Sequence, residues 1–418
     1  GNLIFPVSIG QNSANKSMMS LFGFVISAVG LAVLAVIFTA KTKKDNLEES
    51  LYPYGKRYAR LFTILLLLTI GPLFALPRTA TVPYEVSIRT IFPSANHNMG
   101  LFIYSGLFFI FAAILALKPN KIKTLIGVII NPLFLAMLIM FFTVFLLKLM
   151  VTIFNIEATE LYLGNPFLKG FEDGYQTMDV LAALMFGFVI ISANDKHGNT
   201  KERFNDVVIA SVFAGLYMFV IYSILGFMGA SSVNILNVSS NGGLALGEIF
   251  VHYFGHVGLI FFGILITFAC LKTAIGLVVS VSTYFSDITN ISYKIMVLIT
   301  SLVAFVVSNF GLESIITYAV PVLNFIYPLA LVHVFIGLFI KNWDKKSQLL
   351  KFSLLFTLIG SFLEVFKSIA PFKDMSLILF YKDKLPLASI GLSWVNIFVI
   401  GLLIGFIFES RKTTQIYS

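Results

Sequence analysis

Two basic residues stand in the middle of long apolar runs, where only ion and dipole chemistry would retain them. Arg78 lies in GPLFALPRTATVPYE, residues 71–85, directly after the apolar run 61–70. That stretch also holds three prolines, each of which removes a backbone hydrogen bond that lipid cannot replace. An arginine at membrane depth costs about 2.5–3.5 kcal/mol even on the lenient insertion scale. This face must therefore look onto protein or a polar cavity. It either lines a transport pathway or belongs to a kinked packing helix whose arginine is tied to a carboxylate or carbonyls. Lys272 stands in a parallel setting: Arg78-Thr79-Ala80 aligns with Lys272-Thr273-Ala274 at an offset of 194.

The other titratable residues do not assemble an enzyme. Five histidines (His97, His197, His252, His256, His333) are scattered. Only His252 and His256 share an i,i+4 face, without the glutamate arrangement of a zinc hydrolase, and they fit the cap of a short extracellular helix better. The single cysteine, Cys270, excludes an internal disulfide and sits in an apolar run as a small core residue. Asp179 is either a gating charge or a helix-terminus charge. Glu364 and Lys367 read as an i,i+3 pair near a membrane boundary.

Composition dictates what positions these residues. Hydrophobic residues make up 58%, charged ones 12%, and mean hydropathy is +0.93. Soluble domains carry about 25% charged residues, so a soluble globule is excluded. The net charge of +9 comes from loop lysines, which argues against nucleic acid as a partner. Spans of about 20 apolar residues cross a bilayer. Complete ones fall near 18–40, 61–84, 100–117, 124–147, 176–194, 206–229, 257–285, 294–309, 315–340, 350–366 and 389–408. GNLIFP at 1–6 reads as the far half of one more, making twelve. Of the 29 Lys and Arg, nineteen fall in one alternate set of connections and eight in the other. The richer set faces the cytoplasm, with both chain ends. The mixture of Tyr52, Tyr54 and Tyr58 with Lys56, Arg57 and Arg60 suits an interfacial helix.

On this map Arg78 belongs to helix 3 and Lys272 to helix 8, which run in opposite directions. A five-helix unit repeated after five helices must invert, so the offset fits an inverted repeat of helices 1–5 and 6–10. The expected organisation is 1–150 for the first repeat, 165–341 for the second, and 342–418 for two added helices. Such repeats put a substrate site near the midplane, where their first helices are broken. Helix 1 shows Gly1-Asn2 shortly before Pro6. In helix 6, Gly187 is either a break point or a site of close helix approach.

Taken together, GNLIFP at 1–6, GPLFALPRTATVPYE at 71–85, GYQTMDVLAALMFGFVI at 174–190, ACLKTAIGL at 269–277 and SNFGLESIITYAVPVLNFIYP at 308–328 carry a specific resemblance. The chain resembles the branched-chain amino acid:cation symporters, bacterial carriers for leucine, isoleucine and valine. The resemblance implies an all-α polytopic membrane protein with a LeuT-type fold, a 5+5 inverted repeat and about twelve helices. It also implies uptake into the cell coupled to a cation, usually sodium, through the bacterial plasma membrane. Gly1 and Asn2 would form the exit of the broken part of helix 1, with Asn2 a side-chain oxygen ligand for a cation beside the substrate carboxylate. Ala183, Leu184, Met185, Phe186 and Gly187 would form the break in helix 6, with Phe186 against the substrate side chain. Thr81 and Leu277 would complete an apolar pocket. Ala269 and Thr273 would help bind sodium.

Two departures shape the expectation. The chain starts at Gly1 without an initiator Met, and a family member has a further half-helix there, so a truncated front is expected. Lys272 stands where the family usually has an uncharged residue. Its ammonium could occupy the cation's place, which would make transport sodium-independent or proton-linked. A transport-inactive membrane sensor with the same pocket is the remaining alternative.

Overall fold

The computed structural model describes residues 2–42, 44–117, 156–193, 200–369, 375–385 and 392–417, with scattered positions between them. The helices are α1 (Ile4–Ser13), α2 (Ser17–Val25), α3 (Leu31–Thr42), α4 (Leu47–Ser50), α5 (Lys56–Leu68), α6 (Ala75–Pro83), α7 (His97–Ala116), α8 (Glu160–Leu163) and α9 (Pro166–Gly174). They continue with α10 (Asp179–Ala193), α11 (Thr200–Ser232), α12 (Gly242–Thr289), α13 (Tyr293–Ser308), α14 (Leu312–Phe339), α15 (Ser347–Ser368), α16 (Ser376–Asp383) and α17 (Ser393–Tyr417). No strand occurs among the described residues. Among the described residues, eight helices, some joined through tighter or wider turns, are long and apolar enough to cross a membrane, and α13 and 179–189 of α10 are shorter apolar helices. The expected spans fall on them, except 124–147, most of which lies outside the described residues.

Irregular turns follow the prolines and glycines. Pro77 sits in the first turn of α6, where its missing N–H is an orphan position anyway. Ahead of it, Gly71 (ψ −125°) and Phe74 (φ −133°) leave the helical region, so helix 3 is interrupted at 71–74. Pro83 ends α6, and a wide π-turn, Tyr84–Arg89, follows. The long α12 is interrupted at Gly255 (φ +67°), a conformation for which glycine is the natural residue.

The chain forms two compact units. The first comprises 1–21, 67–164 and 222–319. In it α12 packs on α6, the 84–89 turn, α7, α13 and α1. Small residues permit the approach. A Cβ on Gly10 would fall on Gly226 O and Ala230 N, and one on Gly229 on Val7 O. Arg78 is buried at 4% exposure, with its guanidinium 5.6 Å from the Phe5 ring of α1.

The second unit comprises 22–66, 165–221 and 320–418. Here α10 packs along α3, and α15 along α17. Glu409 accepts the Gln348 N–H at the start of α15 (2.7 Å), and Lys41 donates to Leu338 O (2.6 Å). His333, fully buried in α14, is held at Nε2 by the Tyr58 hydroxyl (2.7 Å) and boxed by Tyr54, Tyr58 and Phe62. The tyrosines read as interfacial thus include two that pack inward.

In membranes, small residues at helix contacts do the work that apolar burial does in water. Gly10→Ala should therefore cost about 1–3 kcal/mol through overpacking. Gly30→Ala, with nothing within 4 Å of the added methyl, should stay within about 0.5 kcal/mol. Thermal unfolding of both variants in detergent checks this contrast.

Candidate functional site

The first part of the expected site is the start of α1. Asn2 and Leu3 form a turn, and Phe5 N donates to Asn2 O (3.3 Å). Pro6 has no N–H. The N–H groups of Leu3 and Ile4 are those the helix cannot satisfy itself, and they carry the positive end of its dipole. Asn2 is half-buried at this point.

Thr81 of α6 belongs to the same unit and is fully buried, and its Oγ1 has no hydrogen-bond partner. A buried hydroxyl left unbonded costs about 1–3 kcal/mol. Leu277 is buried in α12, the helix that packs on α6. One face of α12 also brings together Ala269 and Thr273, whose Oγ1 donates to Ala269 O (3.3 Å). Two oxygens one turn apart suit a hard cation such as sodium. Lys272 and Thr273 are exposed, and Ala269 is half-buried. The expectation of a buried Lys272 ammonium is corrected on this point: the side chain lies at the surface of its unit, unlike buried Arg78.

The expected break at 183–187 also needs correction. α10 runs without interruption from Asp179 to Ala193. Helix 6 is broken earlier, by a 3-10 turn at Tyr175–Thr177 and by Met178 in the left-handed region (φ 58°, ψ 17°). A non-glycine residue held there stores about 1–3 kcal/mol of strain, and such residues cluster at functional sites. Thr177 stabilises the turn, donating to Gly174 O (2.8 Å) and accepting from Asp179 N (3.3 Å). Tyr175 is clamped by a face-to-face stack on Tyr327, with centroids 4.2 Å apart. Asp179 sits in the first turn of α10, where the helix dipole favours a negative charge.

Gly187 is a close-packing glycine, since its Cβ would strike Thr39 of α3. Ala183, Phe186 and Gly187 line a cavity of about 260 Å³ together with residues of α3 and α11, among them Val33, Val36 and Met218. Leu184 and Met185 are buried. The expected site residues are therefore distributed over both units. Asn2, Thr81, Ala269, Lys272, Thr273 and Leu277 belong to the first and 183–187 to the second. Gly1 lies outside the described residues.

Another polar cluster of the first unit joins residues far apart in the sequence. Glu85, buried at 4% exposure, is paired with Arg89 (2.9 Å). Asn241 caps α12 through Oδ1 and donates to Glu313 (3.2 Å) and Glu85 (3.4 Å). Gln11 of α1 accepts from Ser239 N (3.2 Å) and donates to Ser232 (3.1 Å). Only the Glu85–Arg89 spacing of four was readable beforehand.

With these interruptions in place, comparison with known proteins is specific. Residues 1–412 match the family described as branched-chain amino acid transport protein. The chain belongs to that family. The branched-chain amino acid permease BraB of Bacillus subtilis is 36% identical over 417 residues, covering 97% of this chain and 91% of the relative. The permease BrnQ of Escherichia coli is 33% identical over 420 residues, covering 100% and 94%.

Two solved structures share the fold. The nucleobase-cation-symport-1 family transporter Mhp1 aligns with a TM-score of 0.59 at 14% identity, covering 99% of this chain and 89% of Mhp1. MhsT, solved in complex with L-phenylalanine, aligns at 0.55 and 17% identity, covering 96% and 93%. The fold is of the LeuT type, and the family member is a multi-pass membrane transporter. Its named relatives are permeases, not enzymes.

Thr81→Val keeps the shape of the side chain and removes the unbonded hydroxyl. Ligand-free protein carrying it should gain about 1 kcal/mol of stability. A rise of roughly 2 °C in unfolding temperature is the measurable outcome.

Proposed function

We propose that the chain imports leucine, isoleucine and valine in symport with a cation, sodium. The observation that carries this reading is the start of α1 at Leu3 and Ile4; in the second unit, the interruption at 175–178 stands before α10. In the first unit the amides of Leu3 and Ile4, at the positive end of the α1 dipole, suit the carboxylate of a zwitterion. Thr81 and Leu277 offer the apolar neighbourhood in which each methylene of a branched tail contributes about 0.8 kcal/mol. The printed names of the relatives support the substrate class. In this reading 1–150 and 165–341 are the two inverted repeats, 342–418 adds two helices, and both chain ends are cytoplasmic.

Asn2, Ala269 and Thr273 supply the oxygens assigned to sodium. The alternative in which Lys272 replaces the cation needs a buried ammonium, and Lys272 is exposed. Within the second unit, the cavity at Ala183, Phe186 and Gly187 is assigned to packing between α3, α10 and α11 and not to the substrate.

Purified protein in liposomes should take up leucine, isoleucine and valine under an inward sodium gradient, and the rate should collapse when potassium replaces sodium. Glutamate should compete at least about a hundredfold more weakly, because its second carboxylate would be stranded at a cost of several kcal/mol. Equal competition by glutamate would sink the substrate assignment. Uptake unaffected by sodium would move the assignment to Lys272, to be checked with Lys272→Thr. Leucine binding without flux would identify a sensor.

A further inference from the structure

Lys367 ties the C-terminal helices to α9, the helix just ahead of the interruption before α10. Lys367, near the end of α15, has Nζ 3.1 Å from Glu364 Oε2 and 3.7 Å from Glu172 Oε1 of α9. Glu364 is buried at 4% exposure, and its other oxygen accepts the Tyr381 hydroxyl of α16 (2.7 Å). A carboxylate buried to that degree needs its counter-charge, because removing one partner strands the other. The Lys367–Glu364 pair is therefore explained by the packing of α15 and α16 alone.

Glu172 is different. Its side chain keeps 40% exposure, so solvent can serve it without a lysine. Lys169 is itself paired with Asp173 on the same helix. The contact between Lys367 and Glu172 is thus additional to what the buried pair requires, and its effect falls on α9. That helix ends at Gly174, directly before the 3-10 turn Tyr175–Thr177 and the left-handed Met178, and Glu172 lies in its last turn, three residues before Tyr175. On its other side α9 meets α2 and the turn after it, where Gly23 abuts Phe167 O and Gly174 abuts Ser27. An irregular segment has few backbone bonds of its own, so its geometry is set by what holds its ends.

We propose that Lys367 is a positioning residue for the 175–178 interruption. By holding Glu172 it fixes α9, and the C-terminal helices thereby set the geometry of the interrupted backbone at 175–178. This inference rests on the uptake reading above.

The test compares leucine uptake kinetics in liposomes for wild type, Glu172→Gln, Lys367→Met, Lys367→Arg and the double variant Glu172→Gln/Lys367→Met. Glu172→Gln should change kcat or KM by at least about fivefold, the lower end of typical coupling between sites. Its unfolding temperature should stay at the wild-type value, since the buried pair is intact. The double variant should be no worse than Lys367→Met, and Lys367→Arg should retain transport. Wild-type kcat and KM in Glu172→Gln, or a double variant showing the product of the single effects, would overturn the proposal. If Lys367→Met fails to fold, Glu172→Gln alone decides. A wild-type protein that moves no leucine defeats the uptake reading instead. Hydrogen exchange of residues 171–180 in ligand-free protein then decides the positioning claim: Glu172→Gln should speed it at least about fivefold, and unchanged exchange would refute it.

Discussion

The structure depends on one constraint: inside hydrocarbon there is no water to bond a backbone N–H or C=O that a helix leaves open. Each place where this chain stops being helical within an apolar stretch needs replacement partners or a ligand. At 71–74 the break is followed by a proline in the first turn of α6, which has no N–H to satisfy. At 175–178 the Thr177 hydroxyl bonds one carbonyl and one amide. At the start of α1, Asn2 O takes one amide and Pro6 lacks one. What remains at the start of α1 is a small set of dipoles, the groups the proposed carboxylate contact would use.

The same constraint explains the packing. Apolar side chains gain little by leaving lipid for a protein interior, so helices are held by close backbone approach and by polar groups that cannot be left exposed. Gly10 against Gly226, Gly23 against Phe167 and Gly187 against Thr39 supply the first. Glu85 with Arg89 and Asn241, His333 with Tyr58, and Glu364 with Lys367 and Tyr381 supply the second. In each cluster at least one member is almost fully buried, so the partners are obligatory. Ordinary surface ion pairs would contribute about 0–1 kcal/mol.

Hydropathy made the spans legible because length and apolarity are local properties of the chain. The proline-rich stretch around Arg78 was legible for the same reason. The break in helix 6 was misplaced because glycine was used as the signal. Gly187 turned out to serve packing against Thr39, and the left-handed position is taken by Met178, which carries no such mark. Lys272 was judged by its apolar neighbours in sequence, while its exposure depends on which face of α12 it occupies. Asp179 was open between two roles, and its place in the first turn of α10 accounts for its charge. The Glu364–Lys367 pair was visible at a spacing of three, whereas Glu172, nearly two hundred residues away, required the fold.

The central claim is that helix-terminal amides recognise the substrate carboxylate. Competition against labelled leucine uptake by leucinamide, which keeps the ammonium and the branched tail but has a neutral amide, tests it most directly. A lost charge–dipole contact of this kind is worth up to roughly 2 kcal/mol, a factor of about thirty. The account predicts that leucinamide competes at least about thirtyfold more weakly than unlabelled leucine. Competition by leucinamide at the same concentration as leucine would contradict it.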